Sequence, residues 1–155
     1  MTDASDFVLC IVKFIYSDEA LDSIGEFVTY PVNFMSPTAM FSVTGAQELE
    51  RLLAVIRGGL RLAGIADVRP EIRSVMTPME GMAIVSLCNW RLGPSGDAMG
   101  AHRSTYVVRQ EEEDWRLVAL SVDHDDKDEL QDRMEHILAQ HGILKPKPTL
   151  AGDMP

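Results

Sequence analysis

The chain is poor in the features that mark most specialised folds. It has two cysteines in 155 residues, Cys10 and Cys88, too few for a disulfide scaffold and not arranged as a CxxC pair. Both lie in apolar runs, where a free thiol behaves as a small hydrophobe, so both are expected to be buried and unpaired. Cationic residues are scarce: 14 Lys and Arg against 24 Asp and Glu give a net charge of −10. Such a field repels phosphate backbones and anionic membranes, which argues against nucleic-acid and membrane partners. The longest N-terminal apolar run, residues 7–16, is interrupted by Lys13 and falls short of the ~20 residues that span a bilayer. The opening residues 1–6 are acidic where a secretory leader would be basic, so a cytoplasmic location is expected. There is no Gly-rich phosphate loop, nucleophile elbow or HExxH motif, and no cofactor is expected.

What the chain does have is an ordinary globular balance, 46% hydrophobic and 25% charged. Its length suits one domain, assigned to residues 1–142, with a flexible tail at 143–155. Residues 7–16 read as a buried helix and residues 18–27 as a short second one, with Ala20, Leu21, Ile24 and Phe27 at helical spacing. Pro31 removes a backbone donor and favours extended geometry at Tyr30, so residues 30–34 read as an edge strand. Ser36-Pro37-Thr38 is a turn and residues 40–43 a second short strand. Thr44-x-x-Gln47 then reads as a capping box. Behind it, Leu49, Leu52, Leu53, Ile56, Leu60 and Ala63 make one apolar stripe, and Gly64 with Ile65 closes the helix in a Schellman-type end. Gly58 and Gly59 inside this helix suggest a close approach by a neighbouring element.

From residue 69 the period changes. Segments 69–77, 81–92, 101–110 and 115–123 alternate as strands and are joined by short turn-like or charged separators, the pattern of an antiparallel meander. With the two upstream strands, this predicts an α+β fold with a curved antiparallel sheet of about six strands around N-terminal helices. Residues 82–88 and 117–122 are apolar on both faces. A sheet with one solvated face would alternate, so both faces are expected to be covered. A second copy of the chain on the outer face, or the C-terminal helix expected at 126–141, would supply the cover.

This order of elements, together with the strands Ser104-Thr105-Tyr106-Val107-Val108-Arg109 and Trp115-Arg116-Leu117-Val118, resembles the nuclear transport factor 2-like superfamily over about residues 6–124. The group includes ketosteroid isomerases and SnoaL-type polyketide cyclases. The resemblance implies a cone: a bent sheet wrapped around a long helix, with a ligand pocket in the hollow end and a homodimer formed through the outer sheet face. It does not carry the isomerase chemistry with it. The positions corresponding to that enzyme's helix tyrosine, carboxylate base and protonated acid hold Cys10, Tyr30 and Thr105, none of them a carboxylate. The expected function is therefore the binding of a small hydrophobic or carbonyl-containing molecule. A polyketide-cyclase or isomerase-like enzyme, and a protein-interaction module, stand as alternatives.

The candidate pocket residues are Tyr30, Asn33, Trp90, Thr105, Tyr106 and Ser121, with His102 and Asp123 as the acid–base candidates. Met35, Met40, Met76, Met79, Met82 and Met99 offer either pliable ligand contacts or core filling. Asp132 and His136, four apart on the expected last helix, lack a third ligand, and no metal is expected.

Overall fold

The computed structural model describes residues 3–36 and 39–123. Helix α1 spans Ala4–Ile15, starting earlier than its apolar run because the Asp3 carboxylate accepts from the Asp6 amide at 2.8 Å. The segment expected as a second helix is a 3-10 helix, Leu21–Phe27. Strands β1 (Val28–Met35) and β2 (Met40–Val43) precede helix α2 (Ala46–Leu62). Strands β3 (Asp67–Met79), β4 (Met82–Leu92), β5 (Ala98–Glu111) and β6 (Asp114–Asp123) follow. The helix expected at 126–141, with Asp132 and His136, and the tail lie outside the described residues.

All six strands join one sheet in the order β2-β1-β6-β5-β4-β3. The meander β3 to β6 is antiparallel throughout, as is the β1–β2 pair. Between them β1 and β6 run parallel, so the sheet is mixed. Parallel neighbours need a long crossover, and here the crossover is everything from β2 to β5. Register shifts within the β1–β6, β3–β4, β4–β5 and β5–β6 pairs mark bulges, which bend a strand and increase its twist.

Alternation decides which face is buried. On β4, Ala83, Val85 and Leu87 point inward; Val108 on β5, Leu117 and Leu120 on β6, and Val28 and Val32 on β1 join them. Against this face pack Phe7, Val8, Ile11 and Val12 of α1 and Leu49, Leu52 and Leu53 of α2. A fully buried Val or Leu contributes roughly 1.5–3 kcal/mol through removal from water.

The ends of α2 show how local chemistry fixes the element. Its N-cap is Gly45, so the third helical residue is Glu48, not Gln47. The Glu48 carboxylate accepts from the Thr44 amide and hydroxyl, both at 3.1 Å, but a glycine N-cap has no side chain to return a bond to the third helical amide, so the expected Thr-x-x-Gln capping box does not form. At the other end Gly64 has φ +79°; its amide donates to the Arg61 carbonyl at 3.0 Å and the Ile65 amide to the Leu60 carbonyl at 2.9 Å. That pair of bonds is the Schellman pattern, with buried Ile65 closing it. Gly59 is buried, but a Cβ on Gly58 would meet nothing within 4 Å, so no close approach explains that glycine.

The cysteines also depart from expectation. Cys10 is exposed on α1 and Cys88 is half-buried on the outward side of β4; both are free. Their apolar neighbours face inward and they do not, which composition alone does not separate. Among the described residues no helix is long and apolar enough to cross a membrane.

Candidate functional site

The inner face of the sheet changes character along its length. On β4 the inward residues run Ala83, Val85, Leu87, then Asn89 and Arg91. On β5 they run Val108, Tyr106, Ser104 and His102. Toward the β4–β5 turn the sheet therefore presents polar groups inward. Here the helices do not fill the space, and a cavity of about 130 Å³ remains. Its apolar walls are Leu52, Leu53, Ile56 and Leu60 of α2, Leu120 and Val122 of β6, and Ile15 of α1. Phe34 of β1, stacked on Phe41 of β2 at 5.3 Å between ring centroids, forms another wall. Asn89, Arg91, His102, Ser104, Tyr106 and Tyr16 supply the polar end, and among the described lining residues there is no carboxylate.

The polar groups are linked. The Asn89 side-chain amide, 1% exposed, donates to Ser104 Oγ at 2.8 Å and lies 3.3 Å from His102 Nε2. Ser104 in turn is hydrogen-bonded to the Tyr106 hydroxyl. Burial, and then the nearby Tyr16, push the Tyr106 hydroxyl above its ordinary range, outweighing the Ser104 bond, so it stays a neutral donor at every physiological pH. If Asn89 donates to His102 Nε2, a neutral imidazole carries its proton on Nδ1. The Asn89 Oδ1 is buried without a hydrogen-bond partner. A buried acceptor left unmatched costs about 1–3 kcal/mol, a cost that a donor placed in the cavity would offset.

Of the candidate residues read from sequence, the structure brings His102 and Tyr106 to this cavity. Thr105 and Ser121 pair with each other on the opposite face, where Thr105 Oγ1 lies 3.3 Å from Ser86 Oγ. Trp90 also faces outward, with the Arg69 guanidinium over its ring at 5.9 Å. The reason is parity: neighbours on a strand point to opposite faces, so Ser104 and Tyr106 inside put Thr105 outside, and Asn89 and Arg91 inside put Trp90 outside. Asn33 is exposed and accepts from Ser42 across the β1–β2 pair. Tyr30 packs against the core away from the cavity; burial and then the Glu50 charge raise its hydroxyl's pKa, and that hydroxyl has no partner. Asp123 ends β6 opposite Arg103. Of the six methionines, Met35 alone lines the cavity, while Met40, Met76, Met79 and Met99 are exposed.

Sequence reasoning missed Tyr16, Asn89, Arg91 and Ser104. A signal existed for two of them: extending the inward parity of Ala83, Val85 and Leu87 by two steps lands on Asn89 and Arg91. A second hollow, about 470 Å³, lies beside α1, but its Lys13 and Asp67 face each other at 3.5 Å and are more than half exposed. Among the described residues no group of three His, Cys, Asp or Glu is placed to hold a metal ion.

Comparison with known proteins agrees with this architecture. Residues 5–125 match a protein family described as NTF2-like protein (DUF6841). No curated protein matches the chain. Among solved structures, a domain of unknown function with a cystatin-like fold from Nostoc punctiforme is 13% identical over 92% of this chain and 94% of that one, with a TM-score of 0.57. A ketosteroid isomerase-like protein from Erwinia carotovora atroseptica is 15% identical over 77% and 92%, with a TM-score of 0.53. A protein of the SnoaL-like family from Agrobacterium tumefaciens is 15% identical over 81% and 100%, with a TM-score of 0.52. At these identities the likeness is one of fold, whereas the family match covers most of the chain: the protein belongs to the NTF2-like family.

Proposed function

We propose that the chain binds a small, predominantly apolar molecule in the cavity between α2 and the inner sheet face, and that it does so as a homodimer. The carrying observation is the cavity itself: aliphatic walls from α2 and β6 ending on the buried chain Asn89–Ser104–Tyr106. Apolar walls supply affinity and a few fixed polar groups supply orientation, the usual division of labour in a ligand site. Size narrows the class. A 150 Å³ apolar cavity accepts benzene, so about 130 Å³ suits one ring or a chain of roughly six carbons. The orienting group is a carbonyl or hydroxyl, because each can meet the neutral Tyr106 donor. Calorimetric titration with benzyl alcohol and 1-hexanol is expected to give dissociation constants on the order of 0.1–1 mM, as ligands of this size allow. No heat of binding from either alcohol at millimolar concentration would overturn the reading.

The dimer rests on the outer face of β4 and β5, where Ile84, Cys88, Trp90 and Val107 lie half-buried and Met76 of β3 is exposed beside them. Light scattering is expected to give twice the chain mass of 17.2 kDa; a mass equal to one chain at micromolar concentration would remove the dimer from the proposal.

A second reading is favoured by His102. It lines the cavity within reach of Asn89, and an imidazole is the one group there suited to moving a proton at neutral pH. An isomerase-like enzyme would use His102 as base and the Tyr106 hydroxyl as donor to a developing oxyanion. Turnover of a ring ketone lost in His102→Gln, with binding kept, is the result that would favour it.

A further inference from the structure

The polar end of the cavity includes a guanidinium beside its neutral donors. Arg91 is 4% exposed and lines the cavity. Its guanidinium is engaged in an interaction already, and its five N–H donors in a planar fork can serve more than one acceptor. The described lining contributes that cation, the protonated Tyr106 hydroxyl and the Asn89 amide, and no carboxylate. Asn89, 1% exposed with Oδ1 unmatched, is adjustable: turning its amide over presents Nδ2 to the cavity and leaves Oδ1 to accept from Ser104 and from a protonated His102 Nε2.

Resting on the ligand-pocket reading above, we infer that the ligand is a small organic acid: a single-ring or six-carbon carboxylate held with its oxygens between Arg91 and Asn89 and its hydrocarbon part against Ile56 and Leu60. Position along the sheet supports the pairing. Asn89 and Arg91 are two apart on β4 and share its inner face, and Asn89 is directly opposite His102 on β5. A carboxylate set between them meets donors on both sides. The chain's net charge of −10 repels anions at a distance, so the preference has to come from this local cluster and not from the overall field.

The test compares matched probes at pH 7.5, where hexanoate and benzoate are ionised: each is titrated calorimetrically beside 1-hexanol and benzyl alcohol. The carboxylates are expected to bind about tenfold tighter or better, the gain typical of a hydrogen bond to a charged group over a neutral one. In Arg91→Gln the ratio of carboxylate to matched-alcohol affinity is expected to fall to about one, the ratio and not either affinity alone being the readout; Arg91→Lys, which keeps the charge without the fork, retains part of the advantage. Circular dichroism melts of both variants check folding, and the wild-type comparison stands without them. Alcohols and carboxylates binding equally well would overturn the organic-acid inference and leave the pocket reading in place. Neither class binding would overturn both. An undiminished carboxylate preference in a folded Arg91→Gln protein would overturn the assignment to Arg91.

Discussion

Replacing Arg57 with alanine is expected to destabilise the fold by about 3 kcal/mol, read as a lowered urea midpoint at unchanged slope. Arg57 sits on the buried side of α2 at 7% exposure, unusual for a guanidinium. Its function there is to finish another helix. The last carbonyls of α1 have no partners within that helix. Arg57 Nη2 donates to the Phe14 carbonyl at 2.6 Å, Nε to Ile15 at 3.3 Å and Nη1 to the Glu19 carbonyl at 2.6 Å. The same group lies over the Phe14 ring, 4.9 Å from its centroid. Alanine would take a donor from the Ile15 and Glu19 carbonyls, leave the Phe14 carbonyl to the Ser17 amide and hydroxyl, remove a cation from a helix C-terminus, and open a space beside Phe14. Lysine keeps the charge but cannot fork to three carbonyls, so Arg57→Lys should fall between. A loss below about 0.5 kcal/mol in Arg57→Ala would show that water takes over these carbonyls without difficulty. The consequence reaches the cavity, because the segment clamped by Arg57 carries Ile15 and Tyr16, both of which line it.

Ile56→Trp is expected to weaken 1-hexanol binding by roughly 100-fold or more, equivalent to about 2.7 kcal/mol. Ile56 lines the cavity from α2 and is only half-buried, so an indole can turn into the void without displacing backbone. It then occupies the volume that the ligand's hydrocarbon would use. Stability should hold or rise slightly, since filling a void restores contacts that an empty wall lacks. Leu62→Trp, on the same helix at 83% exposure, is the control and should leave binding unchanged. Full-strength binding in Ile56→Trp would place the ligand elsewhere.

How much of this was legible in the sequence differs between elements. The second helix and the meander were readable because their signals are local: a stripe at helical spacing, a glycine in the C′ position, turns between alternating segments. The β2 boundaries, Met40–Val43, follow from the same kind of punctuation. The place of β1 beside β6 was not readable, since it depends on contact across about ninety residues and no local residue type announces it. The site was harder still. Ser104 and Thr105 are chemically alike, and only pairing against β4 shows which faces the cavity. At Asn89-Trp90-Arg91 the polarity is inverted relative to a plain core: the aromatic ring points out and the amide and guanidinium point in. Reasoning that puts tryptophan inside and arginine outside fails there, and functional cavities are where such local rules are expected to fail.

The position of β6 has a consequence for how the molecule is assembled. Without it the sheet is two unconnected ribbons, β2–β1 and β5–β4–β3, each with an apolar face and an open edge. The strand that joins them is the last of the described strands in chain order, so Val28 and Val32 wait without their neighbours while about ninety further residues are made. Leu120 and Val122 of that strand also line the cavity. The cavity is thus completed by the last of the described strands, a fragment ending before it lacks that wall, and its formation requires long-range closure, the slow kind of folding event.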